Sequence, residues 1–269
     1  MPEPSLRTAL RRIFKPENRR SAIRTGRVDS FDVEGRQVTI YLPPGYDERD
    51  DPRYRVLYMH DGQNLFHAHR SYIPGQHWKL QEAADMAIGE RTAAPMIIAG
   101  IDHAGPARID EYTPTVDPKH SGGGRANEYA KFLLEVIKPA IDKKYRTVAD
   151  HSAVGGSSLG GLISLYLALR HPQVFRGAVI MSPSVWWNDR AILKEVDAFD
   201  GPRPRMWLDV GGREGQNTLN DARTLRDRLM AKGWTEETLR YYEDRRGDHS
   251  ERAWARRVRL ALEFLFPPA

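Results

Sequence analysis

A serine flanked by glycines is the residue of this chain whose surroundings most clearly suggest chemistry. Ser158 is the central residue of Gly-Ser-Ser-Leu-Gly (156–160), with glycine two positions before and two positions after it. This pattern is typical of a nucleophile on a sharp strand-to-helix turn, where side chains at those two positions would collide with neighbouring elements. An apolar strand pattern at 152–155 and a helical pattern at 159–171 supply the required context. The sequence therefore predicts Ser158 as a nucleophile.

A serine nucleophile needs a general base, and the two histidines that follow Ser158 are the candidates. When the nucleophilic serine lies on such a strand-to-helix turn, the chain order is serine, then acid, then histidine. His171 ends a predicted helix just before Pro172, which favours a capping role. His249 lies in a predicted turn directly before the last helix, where a loop can hold a base near the nucleophile. We therefore predict His249 as the base.

The acidic partner of the base is expected in the loop Gly-Gly-Arg-Glu-Gly (211–215). This loop follows a buried strand, and catalytic groups collect at the carboxyl ends of strands in open α/β sheets. Glu214 is the predicted acid. Asp209, inside the preceding strand, and a serine–histidine pair without a strong acid remain alternatives.

The oxyanion that forms during acyl transfer requires backbone N–H donors. The loop His-Asp-Gly-Gln-Asn (60–64) follows a predicted strand and can supply the amide of Gln63, alongside the amide of Leu159 directly after the nucleophile. His60 and Asp61 are expected to brace this loop rather than to react. The His67-Ala68-His69 pair has no third ligand at recognisable spacing, so no metal is predicted.

Strand and helix patterns alternate along most of the chain. Predicted helices cover 126–144, bent by Pro139, and 159–171, 220–232 and 251–266. Predicted strands have apolar or alternating patterns and lie at 37–42, 54–59, 96–101, 152–155, 177–181 and 205–210. Such alternation predicts a mainly parallel central sheet with helices on both faces, in a single α/β domain.

The net charge of +5 comes entirely from the first 30 residues, which carry eight Lys/Arg and three acidic residues. The remaining 33 basic and 33 acidic residues balance, so the catalytic body has no net basic footprint for nucleic acid. We predict a basic N-terminal segment at 1–29, helical because Leu6, Leu10 and Ile13 have helical spacing, and a catalytic domain at 30–269.

Cysteine is absent, which excludes disulfides, thiolate metal sites and a cysteine nucleophile. No apolar run approaches the roughly 18 residues of a membrane span, and the first 14 residues lack the apolar block of a secretory signal. We therefore expect a cytoplasmic protein that acts without membrane, nucleic acid or cofactor. Its oligomeric state is not predicted.

Six motifs resemble an esterase branch of the α/β-hydrolases over residues 30–266. This branch includes enterochelin-type siderophore esterases, feruloyl and acetylxylan esterases of carbohydrate esterase family 1, esterase-D-like enzymes and mycolyltransferases. The motifs are LYMHDGQNLF (57–66), GIDHAGPARIDEYTP (100–114), GGSSLGGLISLY (155–166), MSPSVWW (181–187), LDVGGREG (208–215) and GDHSERAW (247–254).

The resemblance implies an α/β-hydrolase fold and the same catalytic positions: Ser158, His249, Glu214 and the amides of Gln63 and Leu159. It also implies that an aromatic pair and the RIDEYTP stretch border the substrate. The substrate-binding residues expected on this ground are Trp186, Trp187, Arg108 and Tyr112, with Glu111 beside them.

The expected activity is serine-dependent hydrolysis of a small-molecule carboxylic ester through an acyl-enzyme on Ser158. Acyl transfer to an alcohol or a sugar by the same residues is one alternative. A non-catalytic binding protein that kept the fold is another, although binding alone does not require Ser158, Glu214 and His249 together.

Overall fold

An eight-stranded, mainly parallel sheet forms the centre of the computed structural model, which describes residues 23–268. Its strands lie in the order β1-β2-β4-β3-β7-β8-β9-β10, and only β2 runs against the others. Strands β5 and β6 form a separate two-stranded hairpin. The bounds are β1 Arg27–Val33, β2 Arg36–Leu42, β3 Tyr54–His60, β4 Ile97–Ile101, β5 Val116–Asp117, β6 Gly122–Gly123, β7 Thr147–Ser157, β8 Phe175–Met181, β9 Arg205–Gly211 and β10 Leu239–Asp244.

Helices connect the parallel strands and cover both faces of the sheet. They are α1 Leu80–Gly89, α2 Arg108–Glu111, α3 Ala126–Phe132, α4 Lys138–Lys144, α5 Leu159–Arg170, α6 Trp187–Arg190, α7 Ile192–Ala198, α8 Gln216–Ala231 and α9 Glu251–Leu265. Short 3-10 turns occur at Tyr46–Glu48, Gly62–Asn64 and Gly105–Ala107. Among residues 23–268, no helix has both the length and the apolar character that crossing a membrane requires.

The apolar core lies in two layers, one on each side of the sheet. Helices α1 and α9 pack together on one face, over alternate residues such as Leu57 and Met59 of β3. Helices α3, α4, α5, α7 and α8 cover the other face, over Val56 and Tyr58 of the same strand. Successive side chains of a strand point to opposite faces, so β3 is buried on both sides. This burial fixes where the strand ends lie and therefore where the loops meet.

The prediction of a mainly parallel α/β sheet with helices on both faces is confirmed, but several elements at its margins differ. Strands β1 and β10 and helix α1 were not predicted from the sequence. The predicted bend near Pro139 takes the form of a π-helical turn at Leu133–Ile137, after which Pro139 lies in the first turn of α4. The helical backbone is continuous from α3 through this turn into α4, and the widened turn before Pro139 accommodates a residue that has no N–H to donate to the preceding turn.

The predicted helix in the basic N-terminal segment lies mostly outside the described residues. Of that segment, residues 23–29 are described, and 27–29 form the start of β1. Strand β1 therefore crosses the expected boundary between residues 29 and 30.

Candidate active site

Ser158 lies on a strained turn between β7 and α5. Its backbone angles are φ 58° and ψ −123°, which a non-glycine residue rarely adopts. The Ser158 N–H donates to the Met181 carbonyl over 3.0 Å, and the Ser158 carbonyl accepts from the N–H groups of Leu162 (3.0 Å) and Ser184 (3.1 Å). These bonds to β8, to α5 and to the loop after β8 hold the turn, so that the serine is presented at the carboxyl edge of the sheet.

The two glycines around Ser158 allow the strand and the helix to approach each other. A Cβ atom on Gly156 would lie 2.8 Å from the carbonyl carbon of Gly160. A Cβ atom on Gly160 would lie 3.2 Å from the Asp61 carboxylate and 3.4 Å from the Cβ atom of His60. A side chain at 156 would therefore collide with Gly160, and a side chain at 160 would crowd the loop after β3.

His249 and Glu214 form a hydrogen-bonded pair at the same edge of the sheet. His249 Nδ1 lies 2.8 Å from Glu214 Oε2. The Glu214 side chain is buried, whereas 45% of the His249 side chain is exposed. The imidazole and the Trp254 ring pack nearly perpendicular to each other at a centroid distance of 5.0 Å. The carboxylate therefore orients an imidazole whose other nitrogen remains available to react.

The other carboxylate oxygen of Glu214 is also fixed by hydrogen bonds. Glu214 Oε1 accepts hydrogen bonds from the Ser182 hydroxyl (2.5 Å) and from the Gly211 N–H (2.8 Å). The Ser182 oxygen in turn accepts from Trp254 Nε1 and from Arg257 Nη2, each over 3.0 Å. Glu214 is thus fixed by β9, by the residue directly after β8, and by helix α9.

Asp209, the alternative acid, belongs to this buried network but does not bond to His249. Its carboxylate is fully buried, lies 3.0 Å from Arg257 Nη2 and accepts a hydrogen bond from Trp207 Nε1 over 2.7 Å. Burial raises the pKa of Asp209 to about 6, although Arg257 and Trp207 oppose the shift. The geometry gives Asp209 the position of a counter-ion to Arg257.

The loop after β3 carries Gln63, and two contacts fix its path. The Asp61 carboxylate receives two hydrogen bonds from the Arg108 guanidinium, over 2.6 and 2.7 Å. A Cβ atom on Gly62 would lie 2.5 Å from the Gly100 carbonyl carbon, so the loop presses directly against β4. Among the described residues, the N–H groups of Gln63 and Leu159 donate to no acceptor. Both amides are therefore free to bind a ligand oxygen.

Aromatic side chains pack against the loop after β3. The ring of His60 packs between Tyr112 and Tyr129, and its Nδ1 lies 2.9 Å from the Tyr129 hydroxyl. Burial lowers the pKa of His60 to about 3, so this imidazole is neutral at ordinary pH. Tyr112 is fully buried, and its hydroxyl accepts from the Asp61 N–H over 3.3 Å. These side chains brace the loop, as expected for His60.

Ser158 and His249 line one cleft with a volume of about 570 Å³. Gln63 and Arg108 line it as well, and its polar wall also includes His103. The apolar side chains of the wall are Tyr72, Ile73, Pro106, Ile109 and Trp254.

Three of the four predicted substrate-binding residues lie outside the lining of this cleft. Trp187 is buried, stacks on His120 and donates its indole N–H to the Thr115 carbonyl over 2.8 Å, which anchors the segment leading into β5. Trp186 is 44% exposed and lies against His120 on the outer surface. Tyr112 is buried behind the Asp61 loop, as described above. Of the four, only Arg108 lines the cleft.

Three residues of this network, Ser182, Trp254 and Arg257, were not predicted as functional from the sequence. Ser182 directly follows β8 at the carboxyl edge, where functional groups collect, and this position was a usable signal. Trp254 and Arg257 are three residues apart in α9 and share a face, as helical spacing predicts. No local pattern, however, indicates that both would meet a serine more than seventy positions earlier.

The sheet order and the strained serine turn define a member of the α/β-hydrolase class. Residues 34–265 match a family model described as "Putative esterase", and the chain belongs to this family of ester hydrolases.

The relatives of this chain match it over different shares of its length. YbbA of Bacillus subtilis, an uncharacterised protein, is 25% identical over 255 residues, covering 90% of this chain and 96% of YbbA. The ferri-bacillibactin esterase BesA of the same species is 30% identical over 176 residues, covering 62% of this chain and 60% of BesA. The structure of a BES protein from Bacillus cereus superposes with a TM-score of 0.70 at 22% identity, over 94% of this chain and 99% of that one.

We predict that Arg257→Leu destabilises the fold by about 3–5 kcal/mol, because it leaves the buried carboxylates of Asp209 and Glu214 without their nearest cation. Urea unfolding at pH 7 measures the change. The matched control is Arg256→Leu. The Arg256 side chain is 50% exposed, and its ion pair with Asp244 is long at 3.8 Å. We expect the control to lose less than about 1 kcal/mol, in line with exposed ion pairs. Equal stability of the two variants would contradict the role given to Arg257.

Proposed function

We propose that this chain is a serine-dependent carboxylic-ester hydrolase that forms an acyl-enzyme on Ser158. The observation that carries the proposal is that His249, bonded to the buried Glu214 carboxylate, lines the same cleft as the strained Ser158. A nucleophile, a base and a group that orients the base are the minimum set for this chemistry.

In the proposed reaction, Ser158 Oγ attacks the ester carbonyl carbon while His249 Nε2 accepts the serine proton. The Nδ1–H of His249 donates to Glu214, which fixes the tautomer and stabilises the imidazolium. The imidazolium then protonates the departing alcohol, and the C–O bond breaks to leave an acyl-enzyme. A water molecule attacks this ester with His249 again as base, so that the acid and free Ser158 are released.

The free amides of Gln63 and Leu159 are the proposed donors to the developing oxyanion. Leu159 is the first residue of α5, whose N-terminal end favours negative charge. Gln63 belongs to a loop held by the Arg108–Asp61 pair, so its amide is positioned before the substrate arrives. Donors that need no rearrangement stabilise the transition state most effectively.

The charge of Glu214 supports its proposed role as the acid. Burial alone would raise the pKa of this carboxyl, but hydrogen bonds from His249, from Ser182 and from the Gly211 N–H hold it below its usual value. Glu214 is therefore ionised throughout the neutral range and can stabilise a protonated His249.

Ferri-bacillibactin and esters of its kind are the proposed substrate class, because BesA is named a ferri-bacillibactin esterase. The exposed apolar side chains of Tyr72, Ile73 and Ile109 at the cleft suit an acyl or alcohol group with apolar surface. A cytoplasmic location and a small-molecule ester as the partner remain our predictions.

We predict that Ser158→Ala lowers kcat/KM for ester hydrolysis by about 10³–10⁶-fold, since it removes the nucleophile. Rates with p-nitrophenyl acetate, methyl ferulate and ferri-bacillibactin measure the loss. Ser184→Ala is the matched control, because its hydroxyl lies 3.3 Å from that of Ser158. We expect the control to change rates by less than tenfold. A fluorophosphonate should label the wild type and not Ser158→Ala; equal activity of the Ser158 variant would refute the assignment.

The identity of the acid is tested by a pair of substitutions that remove one charge each. Glu214→Gln should lower kcat by about 10²–10⁴-fold, because His249 then loses the carboxylate that fixes its tautomer. Asp209→Asn should lower kcat by less than tenfold, since Asp209 faces Arg257 instead of His249. Both kcat values are measured on folded protein at pH 7.5. The reverse ranking would make Asp209 the acid, and two small effects would favour a serine–histidine pair.

Activity should fall as the pH is lowered from 8.5 to 5, because a protonated imidazole at His249 cannot accept the serine proton. A profile of kcat/KM from pH 5 to 8.5 measures the effect. Glu214 stays ionised in this range, since its pKa is lowered, whereas the pKa of Asp209 is about 6. The profile is therefore repeated with Asp209→Asn, and a loss that persists in this variant is assigned to the base. Samples held at each pH and assayed at pH 7.5 control for unfolding. A flat profile from pH 5 to 8 would count against His249.

A further inference from the structure

A cavity of about 240 Å³ lies at the amino ends of the central strands, at the edge of the sheet opposite the cleft. Four neighbouring strands each contribute one basic side chain to it: Arg55 of β3, His151 of β7, Arg176 of β8 and Arg205 of β9. The strand register explains why these residues meet. Val56 pairs with Ser152, Ser152 with Phe175, and Gly177 with Arg205, which places the four basic residues in one row across the sheet.

The end of helix α9 holds two of these side chains in place. Arg205 Nε donates to the Phe264 carbonyl over 2.8 Å, and its guanidinium carbon lies 4.1 Å from the centre of the Phe264 ring. Arg55 Nη1 donates to the Leu265 carbonyl over 3.4 Å, and its guanidinium lies 4.8 Å from the centre of the Phe266 ring. A guanidinium has five N–H groups, so both arginines keep donors for a ligand.

The positive charge of this row has no carboxylate at ion-pair distance within residues 23–268. In contrast, the part-buried Arg36, Arg70 and Arg108 each pair with an acid. Asp150 and Glu237 favour the charged forms of His151 and Arg205 only from a distance.

The basic groups also repel one another. Burial, and then the charge of Arg205, lower the pKa of Arg55. Burial, Arg55 and Arg176 likewise lower the pKa of His151. An anion in the cavity would offset this repulsion, whereas a neutral ligand would not.

We propose that this cavity binds a phosphate group, either as the free ion or as the terminal phosphate of a larger molecule. Arginine forks match the oxygens of a phosphate and form short, charge-assisted hydrogen bonds with them. The cavity is small and walled by Leu265, Phe266 and Pro267, which suits one tetrahedral group better than an extended polyanion. The site lies away from Ser158, so it does not depend on the proposed function.

Isothermal titration of the full chain with inorganic phosphate, at pH 7.5 and constant ionic strength in chloride, tests the proposal. The site variant is Arg55→Gln with Arg176→Gln, and it should bind phosphate at least tenfold more weakly than the wild type. The charge-matched control is Arg49→Gln with Lys194→Gln, which removes two exposed cations elsewhere and should bind within twofold of the wild type. Esterase rates of both variants should stay within twofold of the wild type.

Absence of phosphate binding by the wild type at millimolar concentration would overturn the proposal, as would equal binding by the wild type and the site variant. If the double variant fails to fold, Arg176→Gln alone replaces it, because that side chain is exposed and should weaken binding at least threefold. Titration with glycerol 3-phosphate separates the two sources. Tighter binding than inorganic phosphate supports the terminal group of a larger molecule, and equal or weaker binding supports the free ion.

Discussion

The strained backbone of Ser158 is the constraint on which the arrangement of the site depends. A residue in such a conformation costs about 1–3 kcal/mol and persists only where its surroundings over-determine it. Here the surroundings are the bonds to Met181, Leu162 and Ser184 and the close contact of the glycines at 156 and 160. These contacts also bring the loops after β3 and β8 against the turn. The same geometry that strains the serine therefore assembles the groups around it.

The buried carboxylates of Asp209 and Glu214 have different environments, because the guanidinium of Arg257 lies closer to Asp209 than to Glu214. Arg257 lies 3.0 Å from Asp209 and 3.9 Å from Glu214, so most of its charge faces Asp209. Glu214 obtains its stabilisation from neutral donors, the Ser182 hydroxyl and the Gly211 N–H, in addition to His249. A carboxylate held by neutral donors retains more of its attraction for an imidazolium than one already paired with arginine. On this division we propose that the strand aspartate and the loop glutamate, although close in sequence, do not substitute for each other.

The sequence predicted the central strands and the serine turn because both have local signatures. Buried parallel strands are apolar runs, and a glycine at each side of Ser158 reflects a contact between near neighbours. Edge strands lack that signature: β1 reads RVDSFDV and is largely solvent-facing, so its pattern resembles a polar segment. The assignment of Trp187 to the substrate depended on a resemblance, whereas its burial depends on a carbonyl seventy-two positions away. Contacts of that range are properties of the assembled fold.

The neutral formal charge of the body beyond residue 30 conceals an unequal distribution between the two edges of the sheet. At the carboxyl edge, Arg108 and Arg257 are each matched by a carboxylate, and the resulting pairs fix loops around Ser158. At the amino edge, Arg55 and Arg205 are matched, within residues 23–268, only by carbonyls at the end of α9. Carbonyl dipoles at a helix C-terminus carry roughly half a charge in total, so they cannot neutralise two guanidinium groups. Paired cations serve as structural clamps, whereas unpaired ones retain the capacity to attract an anion, and a net charge cannot distinguish the two.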